Sequence, residues 1–159
     1  MRVDWASWSP RDRATLCFIV ERERILLIEK KRGLGAGKVN APGGRLEPGE
    51  SPRDCAIREC REELHITPLE PQWAGELSFQ FTDGYSLHCT VFRAAHYRGV
   101  PTETAEAKPF WSALDAIPYA RMWADDAHWL PLLLDGTPFR GRFVFDADRM
   151  LEIALGRAD

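Results

Sequence analysis

Gly44-Arg45-Leu46-Glu47-Pro48-Gly49-Glu50-Ser51-Pro52-Arg53-Asp54-Cys55-Ala56-Ile57-Arg58-Glu59-Cys60-Arg61-Glu62-Glu63-Leu64-His65-Ile66 is the stretch on which the reading of this chain turns. Ser51 is a good helix N-cap. Pro52 suits the first helical position, where its missing N–H removes a donor that would lack a partner anyway. Asp54 stands where a capping box wants an acid. These signals predict a helix from Ser51 to about Leu64. At 100° per residue, Ala56, Ile57, Cys60 and Leu64 share one face. Glu59, Glu62 and Glu63 fall on another, at i, i+3 and i+4. Like charges at that spacing cost a helix about 0.2–0.5 kcal/mol per pair. The helix alone leaves two readings open: a solvated acidic face, or an oxygen cluster of the kind hard divalent cations favour.

Working outward, residues 15–20 and 25–29 read as strands joined by the charged turn Glu21-Arg22-Glu23-Arg24. A glycine-rich stretch, Gly33-Leu34-Gly35-Ala36-Gly37-Lys38, follows, and then Gly43-Gly44. Downstream, residues 73–81 and 85–97 should hold two or three strands, and Phe110-Trp111 should end another. Asp125 or Asp126 opens a short helix to about Leu134. Residues 139–145 alternate as a strand does, and 150–155 form a weaker candidate. No repeat, low-complexity segment or linker interrupts this order. The pattern is α+β, with few helices on a mostly β body.

A length of 159 residues suits a single domain spanning 1–159, with 1–13 as an N-terminal extension free to move. That stretch carries Asp4, Arg11, Asp12 and Arg13 and lacks an apolar h-region, so it does not read as a signal peptide. No apolar run approaches the roughly 20 residues that span a bilayer. The net charge is −3 and no long Lys/Arg run is present, which argues against a nucleic-acid polymer as partner. A small anionic substrate remains compatible, because a metal can supply the positive charge. Cys17, Cys55, Cys60 and Cys89 form no Cys-x-x-Cys pair, so they read as buried reduced thiols of a cytoplasmic protein rather than zinc ligands.

From Gly44 the sequence runs Gly-x5-Glu50-x7-Arg58-Glu59-Cys60-Arg61-Glu62-Glu63-Leu64-His65-Ile66, which resembles the Nudix box. His65 departs from it, standing where the box has glycine. That position follows the helix and calls for positive φ, a region in which His is enriched among non-glycine residues. The resemblance implies the Nudix fold, a mixed sheet between helices in an α/β/α sandwich. It also implies metal-dependent hydrolysis of a nucleoside diphosphate linked to another group. Glu59, Glu62 and Glu63 would then bind Mg²⁺ or Mn²⁺, helped by the Gly43 carbonyl. One glutamate would serve as general base, without the sequence saying which. Arg58 and Glu50 would brace the loop–helix–loop. Alone, Arg58 would read as a surface ion pair of little worth.

The resemblance extends beyond the box. Lys30 to Asn40, Phe79-Gln80-Phe81, Met122 to Leu134 and Phe139-Arg140-Gly141 are similar to animal-type 8-oxo-dGTP diphosphatases, the MutT homologues. That likeness implies a base-reading pocket of Asn40, Trp123, Asp125 and Asp126, with Thr15, Lys30 and Phe79 around it and Gly43 and Gly44 beside the phosphates. It makes Glu106 a further metal or base carboxylate. Each has a plainer reading: Asn40 as a turn residue, Trp123 as core, Asp125 and Asp126 as helix-start acids, Glu106 as a solvated loop residue. Leu34 and Val39 stand where the relatives carry aromatics, and Ala41-Pro42 replaces a Gly-aromatic pair, so the pocket entrance is expected to differ. The expected partner is a small nucleotide, and the expected assembly is a monomer or small homo-oligomer. Two alternatives remain: another nucleotide or a nucleotide sugar such as ADP-ribose as substrate, or a Nudix-fold binding module without turnover.

Overall fold

Strands buried on both faces read as nearly continuous apolar runs, and residues 15–20 and 25–29 have that character. In the computed structural model, which describes residues 1–158, they lie in β1 (Asp12–Ile19) and β2 (Arg24–Lys30). Their two faces meet different helices, α1 (Pro52–Leu64) and α2 (Asp126–Leu134). Cys17, Ile19, Leu26 and Ile28 cluster with Ala56, Cys60 and Leu64 of α1. Phe18, Val20, Ile25 and Leu27 cluster with Trp129, Leu130 and Leu133 of α2. The period-2 alternation of a strand thus serves two cores at once, and the β layer is sandwiched between helices.

The remaining strands are β3 (Val39–Asn40), β4 (Gly43–Arg45), β5 (Ile66–Leu69), β6 (Gln72–Phe81), β7 (Ser86–Ala94), β8 (His96–Gly99), β9 (Ala107–Ala113), β10 (Phe139–Asp146) and β11 (Arg149–Arg157). A six-stranded mixed sheet runs β11-β10-β6-β7-β1-β4, a three-stranded sheet β3-β2-β9, and β5 pairs with β8. In the large sheet β1 lies parallel to β7 and β6 parallel to β10. The charged turn after β1 carries the chain between sheets, with a single bridge, Val20 to Ile25, across it.

One expectation needs correction. Ile57 is only half-buried, whereas Cys55 is fully buried, so the apolar face of α1 is rotated toward Cys55 and the sheet. The N-terminal extension lies against the large sheet. The Trp8 indole donates to Gln80 Oε1 at 2.9 Å, the Arg11 N–H donates to Ser86 Oγ at 2.8 Å, and the Arg142 guanidinium sits over the Trp5 ring. All four cysteines are free and buried. No helix among the described residues is long and apolar enough to cross a membrane.

Candidate active site

The glutamate helix begins and ends as its sequence dictates. Ser51 Oγ accepts from the Asp54 N–H at 3.1 Å. At the far end His65 adopts a left-handed conformation, φ 59° and ψ 32°, and its N–H donates back to Arg61 O. The preceding loop is tied down by Arg58. Its guanidinium grips Glu50 through Nε and Nη2, and Nη2 also reaches Arg45 O at 3.1 Å. The same guanidinium donates through Nη1 to Glu59 Oε1 at 2.8 Å and Glu62 Oε2 at 3.2 Å.

Packing of β4 on α1 explains the paired glycines. A Cβ on Gly44 would lie 2.5 Å from the Glu59 carboxyl carbon, and one on Gly43 would lie 1.9 Å from Thr15 O. Only glycine lets this strand pass so close to the carboxylates. The Gly43 N–H donates to Glu63 Oε2 at 3.3 Å.

Glu59, Glu63 and Glu106 each offer an oxygen within 4.8 Å of the others. Glu62 does not join them. Its side chain is 52% exposed and turns toward Arg58. Glu106, from the loop before β9, completes the cluster instead, and Arg32 Nη2 pairs with it at 3.2 Å. Burial pushes the Glu63 carboxyl up to about 8, with the neighbouring Glu59 charge adding to it and the Gly43 N–H opposing. Burial likewise raises Glu59, against the pull of Arg58. Desolvated carboxylates that repel one another fit a hard divalent cation, which neutralises them and takes all-oxygen ligands.

A cavity of about 760 Å³, counting space open to solvent, lies beside this cluster, and Glu63 lines it. Thr15, Lys30, Asn40, Gly43, Gly44, Phe79, Trp123, Asp125 and Asp126 all line the same cavity. Residues near and far in sequence, which the resemblance groups together, share a single pocket. Leu16, Leu77, Phe81, Leu87 and Cys89 also line it and escaped the sequence reading. Of the departures from the relatives, Leu34 and Ala41 face the cavity. Val39 is instead fully buried in the α2-side core, and Pro42 is buried outside the lining, so these two do not shape the entrance.

The two aspartates are buried, at 1% and 3% exposure. Asp125 sits at the N-cap position of α2 but makes no side-chain cap bond. Its Oδ2 instead accepts from the Trp129 indole at 2.7 Å. Asp125 Oδ1 and Asp126 Oδ2 have no hydrogen-bond partner among the described residues. Burial raises both carboxyls, and the Asp125 charge drives Asp126 well up. Asn40 commits its carbonyl Oδ1 to the Ala41 N–H at 2.8 Å, which leaves its amide to donate. Trp123 is half-buried, edge-on to Phe145 and Phe81.

A three-layered fold and a carboxylate-bearing loop–helix–loop beside a largely apolar pocket define a hydrolase of the Nudix class. The NUDIX domain family matches residues 10–133, and the chain belongs to that family. It is 41% identical over 147 residues to the oxidized purine nucleoside triphosphate hydrolase of Mus musculus, covering 91% of this chain and 94% of the mouse protein. It is 42% identical over 134 residues to the protein of the same name from Danio rerio, covering 82% and 85% of the two chains. Among solved structures, a MutT protein from Bacillus halodurans superposes with a TM-score of 0.81 at 29% identity, covering 91% of this chain and 97% of that one.

Proposed function

We propose that this Nudix hydrolase converts oxidised purine nucleoside triphosphates such as 8-oxo-dGTP to the monophosphate and pyrophosphate, keeping damaged nucleotides out of DNA. The observation that carries the reading is one cavity holding two kinds of carboxylate. Asp125 and Asp126 face it with free oxygens, and Glu63 joins it to the Glu59/Glu63/Glu106 cluster. A purine is matched to the first and a phosphate chain to the second. The relatives' names point the same way.

Glu59, Glu63 and Glu106 would hold Mg²⁺ or Mn²⁺. Glu62 would serve from the rim through Arg58, or turn inward when a cation is bound. Such a cation, when bound, neutralises phosphate oxygens and activates water at neutral pH. The chain's own residues do the rest. Arg58 fixes Glu59 and Glu50, which holds the helix against its loop. Gly43 and Gly44 let the backbone approach closely, and the Gly43 N–H orients Glu63. Lys30, the cation that bears on Glu63, stands where the phosphates must pass. The apolar walls, Phe79 and Trp123 among them, exclude water from the base. Asn40 donates to the base edge, and the aspartate pair both donates and accepts. The protein would act on free nucleotides in the cytoplasm, as a monomer or small homo-oligomer, without binding a nucleic-acid polymer. A binding module without turnover has no use for this buried, repelling carboxylate cluster.

The test is kcat/KM for 8-oxo-dGTP against dGTP with Mg²⁺, with phosphate and pyrophosphate both assayed. Pyrophosphate release and a preference of about tenfold or more for the oxidised purine are expected, on the scale of a site built to hydrogen-bond its substrate. Equal constants would overturn the substrate, and orthophosphate as product would overturn the reaction.

A further inference from the structure

Trp123 does not stand alone at the pocket mouth. A Cβ on Gly35 would lie 2.7 Å from its indole nitrogen, so the glycine-rich loop is pressed against the ring. Lys38 Nζ lies over the ring, 5.1 Å from its centroid. The same ammonium reaches Asp148 Oδ2 at 3.4 Å, in the turn between β10 and β11. The loop that delivers Lys38 is internally braced. Gly37 N–H donates to Lys30 O at 2.8 Å, Lys38 N–H to Gly35 O at 2.9 Å, and Lys30 N–H to Lys38 O at 3.0 Å. Phe145, on the strand leading into the Asp148 turn, meets Trp123 edge-on at 5.5 Å. Two segments distant in sequence thus meet over one aromatic ring, with Lys38 as the side chain that touches both.

We propose that Lys38 is a positioning residue for base selection: it clasps the Gly33–Lys38 loop to the β10–β11 turn across Trp123 and holds that ring as a wall of the base pocket. The inference rests on the reading of the cavity as a purine site. The Lys38 side chain is 26% exposed and Asp148 is 70% exposed, so the ion pair by itself contributes little. The contact over the tryptophan carries more, because ring and ammonium are both partly shielded from water. Lysine suits this post, since its methylene stem can lie along the apolar wall while the charged head reaches solvent and Asp148. The charge has a second effect. Of the groups bearing on the aspartates, Lys38 favours an ionised Asp126, and His128 and the Trp129 indole favour an ionised Asp125, against burial and the repulsion of the two carboxyls. Lys38 therefore contributes to binding through the wall it holds, and its pull on Asp126 works against the protonated acid. It touches no reacting atom, so its effect should fall on binding rather than on the chemical step.

The test compares wild type, Lys38→Met, Lys38→Arg and Asp148→Asn, with KM and kcat measured for 8-oxo-dGTP and dGTP and thermal melts as a fold check. Lys38→Met keeps the stem and removes the charge. It should raise KM for 8-oxo-dGTP by roughly three- to tenfold, the scale of a lost cation–π contact, with kcat changed less than about twofold. Lys38→Arg should restore KM to within about twofold of wild type. Asp148→Asn should give a smaller rise that fades at high salt, as an exposed ion pair does. An unchanged KM in Lys38→Met, a loss in kcat alone, or an arginine variant no better than the methionine one would overturn the proposal. A wild type without preference for the oxidised purine would strike the substrate reading instead, and Lys38 would then be judged by the same comparison on dGTP.

Discussion

Arg58 and Glu50 are joined by two parallel hydrogen bonds, Nε to Oε2 at 2.7 Å and Nη2 to Oε1 at 2.9 Å. Glu50 precedes the helix and Arg58 lies within it, so this fork fastens loop to helix. Bidentate pairs of this kind are the strong, directional ones. The guanidinium, together with the Glu47 N–H, holds the Glu50 carboxyl down at about 2, against an ordinary 4.5. A carboxyl depressed by folding contributes stability that is fully present above its unfolded value. That contribution is lost as pH falls through the folded one. Wild-type melting temperature should therefore drop between about pH 4.5 and 2. Glu50→Gln should melt lower at neutral pH and show a shallower drop across that window. Superimposable acid profiles for the two proteins would show that the fork does not brace the fold.

Glu63 shows the opposite sign. Its carboxyl is raised to about 8, so the folded metal-free protein holds a proton that the unfolded chain releases near 4.5. Stability of the metal-free protein should fall as pH rises from about 4.5 to 8. Glu63→Gln removes that penalty. In EDTA at pH 8 the variant should be more stable than wild type, on the order of 2 kcal/mol or more. Saturating Mg²⁺ should close or reverse the gap, because only the intact cluster gains from binding. With Mg²⁺ the variant should lose at least about two orders of magnitude in kcat, the scale of a major electrostatic or proton-transfer contribution. A folded Glu63→Gln enzyme with near-normal turnover would remove Glu63 from the chemistry.

His65 carries a backbone prediction. Its φ of 59° is a conformation that favours glycine, and Gly99 packs directly against its carbonyl oxygen. Replacement by glycine relieves the Cβ strain while keeping the N–H bond to Arg61 O. Denaturant unfolding of His65→Gly should show a gain of up to about 1 kcal/mol, with kcat/KM unchanged. Lower stability in the variant would mean that the imidazole itself makes a needed contact.

How far the sequence revealed all this depends on how local each feature is. The α1 cap, the left-handed His65 and the two-faced strands β1 and β2 were legible because each follows from a few neighbouring residues. Helical spacing puts Glu62 beside Glu59 and Glu63, yet its side chain turns to Arg58 instead. Only the position of Arg58 shows it turned to the rim, whereas Glu106, which the resemblance offers as a further metal carboxylate, does lie with Glu59 and Glu63. Ile57 misled for a similar reason: the sheet lies to the Cys55 side of the helix, which periodicity does not state. Leu77, Leu87 and Cys89 read as ordinary strand residues, and nothing in their surroundings marks the cavity they line. The two-residue strand β3 and the three-residue β4 are too short to carry a readable pattern, and the glycines of β4 serve close approach rather than pleating.

The base pocket gives the last prediction. 8-Oxoguanine differs from guanine by a carbonyl at C8 and a hydrogen on N7, so its edge alternates donors and acceptors. The structure sorts the partners. Asn40 has its amide free to donate, while its carbonyl already accepts one bond from the Ala41 N–H. Burial raises both carboxyls; the Trp129 indole opposes it at Asp125, whereas the Asp125 charge adds to it at Asp126 and drives that acid the higher of the two. The proton belongs to the pair, which would offer one acceptor and one acid donor to a base held in the cavity. Asp125→Asn, Asp126→Asn and Asn40→Ala should each raise KM for 8-oxo-dGTP by roughly tenfold or more, and far less for dGTP. A polar site that loses its partner discriminates more strongly than an apolar wall does. The pH response follows from the same sign. An acid raised by burial keeps its proton below its shifted pKa, so wild-type affinity for the oxidised base should weaken as pH rises through the pair's titration. Asp126→Asn, whose amide cannot deprotonate, should flatten that alkaline decline. Equal losses on both nucleotides, with an unchanged pH profile, would assign these residues to the fold or the phosphates and move base recognition elsewhere in the cavity.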